Sequence, residues 1–192
     1  METQWIFAGL LGLGLAASCG LNTFLPLLAL SGAAHWKLFG VNLGGNFSWL
    51  GSEAALVALG LATMVEVIGD KVPFVDHALD AFGTVARPAA GALAAASVFN
   101  GEPALAALAG LVVGAPAAFS FHAVKTGTRA ASTTTTWGLA NPLLSTIEDI
   151  LAVALVFVSF VAPIVVPVLL IVAFLLVWKL VKRLRGTRAP AV

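Results

Sequence analysis

The sequence predicts an all-α fold: a polytopic integral membrane bundle of about six transmembrane helices, with room for re-entrant or broken segments. Three observations carry that reading. Hydrophobic residues make up 60% of the chain and charged residues only 10%, with a mean hydropathy of +1.02, far from the composition of soluble domains. Six apolar stretches can be drawn, most of them close to the ~20 residues that one crossing needs. The charged residues gather in two passages and a basic tail. One membrane domain over residues 1–192 is expected, with 182–192 as a basic cytoplasmic tail.

The first stretch runs over 4–30. Its leading "METQWIFAGL" has an acidic residue and no Lys or Arg, unlike the basic start of a secretion signal, so a retained helix is expected. Cys19 has no second cysteine to pair with and reads as a small buried residue. "ASCGLNTFLPLL" places Asn22, Gly20 and Pro26 inside this apolar run. The segment "SGAAHWKLFGVNLGGNFSWLGSE" is rich in glycine and aromatics and suits a membrane interface, with His35 as an interfacial residue.

The next stretches cover 51–68, 82–99 and 103–124. From 147 to 181 the chain is almost wholly apolar, and a helix of that length would be roughly 50 Å, too long for a core of about 30 Å. Pro163 and Pro167 break helices, so two helices over 147–161 and 164–181 are expected, turning at Ala162 and Pro163. The tail carries Lys179, Lys182, Arg183, Arg185 and Arg188, and basic residues mark the cytoplasmic side. Such a tail beside a membrane helix reads as a topology anchor or an anionic-lipid contact, with no role in nucleic-acid binding. Six crossings then place both termini in the cytoplasm, with Lys71, Arg87, Lys125 and Arg129 on that half.

The first polar passage, "EVIGDKVPFVDHALD", contains Glu66, Asp70, Lys71, Asp76, His77 and Asp80. Glu66 and Asp70 share a helical face, as do Asp76 and Asp80. Gly69 is a weak point in the helix, and Pro73 suits the first turn of a new one. Arg87 cannot lose its proton, so it needs a carboxylate from Asp80, Asp76, Glu66, Glu148 or Asp149. Pro88 disfavours helix in the residue before it, and the third helix proper is expected to open there. The second passage, "FHAVKTGTRAASTTTTWGLANPLLSTIED", brings His122, Lys125 and Arg129. Its run of Thr133 to Thr136 is poor in helix formers and predicts a broken or re-entrant segment. Ser145 or Thr146 is expected to cap the next helix, with Glu148 and Asp149 in its first turn. The passages are complementary in charge and are expected to be neighbours along the bundle axis.

"VEVIGDKVPFVDHALDAFGTVARPAAGAL", "HAVKTGTRA" and "STIEDILAV", with "GLNTFLPLLAL" in the first helix, resemble the bacterial membrane proteins grouped as the domain of unknown function 4126 family. The resemblance covers about residues 16–155 and implies a multi-helix protein of the inner membrane. By that resemblance the positions carried over are Asn22, Glu66, Asp70, Lys71, Pro73, Asp76, Asp80, Arg87, Pro88, His122, Lys125, Gly127, Arg129, Asn141, Glu148 and Asp149. The chain departs from the family's Ser-Pro-Glu-Pro-like turn, having "STTTTWGLANP" after the arginine.

Ionisable groups at membrane depth face a bundle interior or an aqueous cavity in pairs. The expected function is a small transporter or channel with a polar, cytoplasm-facing cavity for an ion, a small solute or a lipid headgroup. Its lining would be Asn22, Glu66, Asp70, Lys71, Asp76, Asp80, Arg87, His122, Lys125, Arg129, Glu148 and Asp149, with no catalytic residue, resident metal or cofactor. Membrane lipids and a second copy of the chain are the expected partners, because helices rich in small residues pack closely. Two alternatives are a structural or assembly subunit and a membrane-embedded enzyme using Asp76, His77, Asp80 and His122 around a divalent metal.

Overall fold

The computed structural model describes residues 2–72, 75–99 and 102–186. Eight α-helices account for most of them: α1 Glu2–Cys19, α2 Leu25–His35, α3 Glu53–Gly69, α4 Val75–Ser97, α5 Pro103–Ala109, α6 Ala115–Thr136, α7 Asn141–Val161 and α8 Val166–Gly186. No strand occurs among the described residues. Pro73, expected at a helix start, and Arg188 of the basic tail lie outside the described residues.

By length and composition two segments can cross a membrane: Pro103–Thr136, which joins α5 to α6 through one π-helical turn at Gly110–Gly114, and α7. The pair Gly45–Gly51 and α3, bent by 65°, would make a third. The rest of the six expected crossings are shorter apolar helices, or in the case of α4 a helix carrying Asp76, Asp80 and Arg87.

The 4–30 stretch is not one helix. α1 ends at Cys19 and α2 starts at Leu25, and the two form a hairpin. Trp5 lies against Phe99, with ring centroids 5.9 Å apart, and Phe39, just after α2, stacks on Phe160 at 5.2 Å. The start of α1, the loop after α2 and the ends of α4 and α7 therefore gather at one aromatic end. The α1–α2 break lies toward the other end, with the end of α3 and the early turns of α4 and α7. Both termini on one side requires 4–30 to be a single pass, and the chain instead reverses between α1 and α2.

Three further expectations are corrected. Pro88 lies inside α4, which runs unbroken from Val75; it forfeits one backbone hydrogen bond, a loss that packed membrane helices absorb. The threonine run does not break α6, which stays helical to Thr136. The hydroxyls of Thr134, Thr135 and Thr136 donate to carbonyls three or four residues back, so they bond within the helix and do not compete with it. α7 begins at Asn141, so Ser145 and Thr146 are not caps and Glu148 lies in the third turn, about 10 Å along the helix. The break at Ala162 and Pro163 occurs as expected.

α1 is the central helix, packed on α4, α6 and α7. The core is apolar and small: Leu15, Cys19, Leu27, Leu30, Ala90, Ala94, Ala118 and Val156 are all buried. Between α4 and α6 the backbones nearly touch. A Cβ added at Gly91 would meet the Gly114 carbonyl at 2.7 Å and Ala118 Cβ at 2.5 Å, and one at Gly20 would strike the Ala118 carbonyl. Close approach of this kind needs residues without side chains at the crossing.

Candidate functional site

The site begins with backbone groups freed where α1 and α2 part. The carbonyls at the end of a helix carry partial negative charge, and the N–H groups at the start of the next carry partial positive charge. Lys125 Nζ donates to the Leu21 carbonyl at 2.9 Å, and Arg87 Nη1 reaches the Gly20 carbonyl at 3.4 Å. On the α2 side, Glu66 accepts the Thr23 N–H at 2.9 Å, the Phe24 N–H at 3.2 Å and the Thr23 hydroxyl at 2.8 Å. Asn22 Oδ1 accepts the Leu25 N–H at 3.1 Å. Cations therefore meet the end rich in acceptors and an anion meets the end rich in donors, the sense that both helix dipoles favour.

From there the charges extend into one network. Arg87 stands 3.4 Å from Glu66 and 3.5 Å from Asp80. Lys125 reaches Asp70 at 2.6 Å and Glu148 at 3.3 Å. Arg129 reaches Glu148 at 2.8 Å, Asp70 at 3.1 Å and Asp80 at 3.4 Å. Arg87 Nη1 also lies 2.8 Å from His122 Nδ1. A guanidinium only donates, so His122 Nδ1 must accept and the ring is neutral, with its hydrogen on Nε2, 3.2 Å from the Thr84 hydroxyl.

Glu66, Asp70, Arg87, Lys125, Arg129 and Glu148 are each at most 7% exposed. Around them the surface is apolar: Val65 and Ile68 on α3, Phe82 and Val85 on α4, Phe119 and Val124 on α6, and Ile147 and Ile150 on α7 are all exposed. The charges lie inside and the apolar side chains outside. Charge held this way must be paired, because an uncompensated ion in a low dielectric is strongly disfavoured.

The two polar passages thus meet directly. Lys71 and Asp149 form a more exposed pair at 2.7 Å, to which Asn22 adds a hydrogen bond at 3.2 Å. Asp76 stands apart, bonded to Asn141 at 3.1 Å and to His77 at 2.7 Å. Of the residues weighed for a metal, His122 is turned onto Arg87 and Asp80 faces Arg87 and Arg129. Among the described residues no group of three or more His, Cys, Asp or Glu side chains is arranged to hold a metal ion.

The charges close on one another. The space beside them is a cavity of about 370 Å³ between α4 and α6, lined by Asp80, Ala81, Thr84, Phe119, His122, Ala123 and Thr126. Five buried polar atoms have no hydrogen-bond partner among the described residues: Asp70 Oδ1, Asp80 Oδ1, Arg129 Nε, Asn141 Oδ1 and Ser145 Oγ. A larger cavity, about 490 Å³, lies at the aromatic end beside Trp5, Leu11, Phe39, Phe99 and Phe160.

Sequence reasoning missed Thr23 and Thr84. Thr23 could have been suspected from its place beside Asn22 and before Pro26 in an apolar run. Thr84 gives no such signal, because its role depends on where α6 sets His122. The family model described as "Domain of unknown function (DUF4126)" matches residues 10–183, so the chain belongs to that family. No curated protein and no solved structure matches.

Proposed function

We propose that this member of the DUF4126 family is a multi-pass protein of the bacterial cytoplasmic membrane, basic tail inward, that transports a small ion, a polar solute or a lipid headgroup. The observation that carries the reading is the turn where α1 and α2 part. The two helix ends there are held by ionic side chains from other helices, Glu66 from α3, Arg87 from α4 and Lys125 from α6. Helix ends exposed to one another inside the bundle form the substrate and ion sites of many transporters. A charged ligand can compete for either end, and the hairpin of α1 and α2 is the element that would move.

Reconstitution tests this. Proton, ion and fluorescent-lipid flux in liposomes is expected with the wild type and lost with Glu66→Gln and Arg129→Ala, provided both variants remain folded. Absence of flux under every imposed gradient would sink the proposal. A second reading, as a subunit of an oligomer or a larger membrane assembly, draws on α8, where Val168, Ile171, Phe174, Leu176 and Trp178 are exposed. Lipid tails or the helix of another subunit fit such a face equally well. The mass of the purified protein in detergent separates the two.

A further inference from the structure

We propose that the carboxylates Asp70, Asp80 and Glu148 hold one exchangeable proton, taken up from the cavity between α4 and α6 at Asp80. As the coupling ion of a transporter this rests on the reading above; as a binding site it stands by itself.

The argument is one of charge. Glu66 is matched by Arg87, and Asp149 by Lys71. Arg87 also faces Asp80, so the network as a whole is four carboxylates, Glu66, Asp70, Asp80 and Glu148, around three cations, Arg87, Lys125 and Arg129. The group carries one negative charge in excess, inside an apolar shell where such an excess is heavily penalised. One of these carboxylates also has a buried oxygen without a hydrogen-bond partner among the described residues, Asp70 Oδ1, whereas Asp80 Oδ1 lies 3.5 Å from Arg87 Nη2. Both observations point to a missing positive ligand.

Size and surroundings select the proton. A metal cation would have to sit between an ammonium and a guanidinium, and a divalent one would want about six or more oxygen ligands. A proton needs one lone pair. It passes from a hydronium ion in the cavity, leaving water, and forms a single O–H bond on a carboxylate oxygen; no electrons are transferred. The acid so formed is neutral and becomes a donor, bringing the count to three anions and three cations.

The entry point follows from exposure. The Asp80 side chain is 15% exposed, against 1% for Asp70 and 10% for Glu148, and Asp80 lines the cavity. Every charged or titratable group around it bears on the equilibrium. On its own helix these are Arg87, with Asp76 and His77 one turn before; α6 contributes His122, Lys125 and Arg129; α3 contributes Glu66 and Asp70; and α7 contributes Glu148 through Arg129. His122 is not a rival acceptor, since its Nδ1 lone pair already faces Arg87.

Infrared difference spectroscopy of the full chain in lipid nanodiscs, stepped in pH, reads the protonated carboxyl directly. One such group per chain is expected in the wild type and in the exposed control Glu53→Gln. It is expected to disappear in Asp80→Asn, whose remaining charges balance, and to become two in Arg129→Gln. The wild-type measurement decides without either variant having to fold. Carboxyls that are all ionised at every pH where the protein is folded overturn the proposal, as does stoichiometric sodium binding with no carboxyl signal. Liposomes without flux but with the signal sink transport and leave the proton site standing; flux without the signal does the opposite.

Discussion

The interface between α4 and α6 can be compared with itself, one turn apart. At Gly91 and Gly114 the two backbones touch and no side chain intervenes. Four residues along α4, Arg87 reaches across the same interface to His122 and holds Glu66 and Asp80 on its other side. The first contact sets a distance by shape and tolerates nothing larger. The second depends on a charge count, and any one member can be judged only with the others. Close packing at the seam is what lets Arg87 be fully buried and still reach carboxylates on two helices.

The largest effect is expected at the ionic side. Arg129→Ala leaves Asp70 and Glu148 facing Lys125 alone and Asp80 facing only Arg87, and breaking a buried ionic group in this way costs roughly 3–5 kcal/mol. Thermal unfolding in detergent measures it. The sharper form of the test adds Glu148→Gln to Arg129→Ala: recovery of part of the loss is expected if charge balance governs this region, and a further loss would show that shape governs it too.

The seam comes next. Gly91→Ala drives a methyl into the Gly114 carbonyl and Ala118 Cβ, and overpacking of this kind costs about 1–3 kcal/mol. No second charge change should rescue it. If Gly91→Ala unfolds at the wild-type temperature, the backbones are not in contact and the comparison collapses.

Two smaller effects bracket the network. Ser18 Oγ donates to the Ala152 carbonyl at 3.0 Å between α1 and α7, and hydrogen bonds between membrane helices average roughly 0.6 kcal/mol, so Ser18→Ala should shift the unfolding midpoint only slightly. Lys71 and Asp149 are 36% and 17% exposed. Their pair should contribute about 0–1 kcal/mol and weaken in high salt, measured by a double-mutant cycle at two ionic strengths. A salt-insensitive coupling would move this pair from the periphery into the buried centre.

How far the sequence could be read varies residue by residue. That Arg87 required a carboxylate followed from its permanent charge, and Glu66 and Asp80 were among the five candidates. The end of α3 at Gly69 and the turn at Ala162 were readable because glycine and proline act locally. The threonine run and Pro88 misled because propensity is a weak prior, overruled when hydroxyls bond within the helix or when neighbouring helices hold a proline in place. The start of α7 reads late in the sequence, which puts Glu148 in the first turn, because the true start, at Asn141, has no side-chain cap to announce it.

The sequence by itself determined the helical class, the apolar exterior and the clustering of charge into two passages, since composition and periodicity act without knowledge of neighbours. Only the tertiary structure decided that α1 and α2 fold back as a hairpin, that Glu66, Arg87 and Lys125 satisfy its parted ends, and that four carboxylates share three cations. The contacts at the parted ends alone join groups as far as 104 residues apart in the chain. Their energy is set by burial and distance, which no local pattern of residues records.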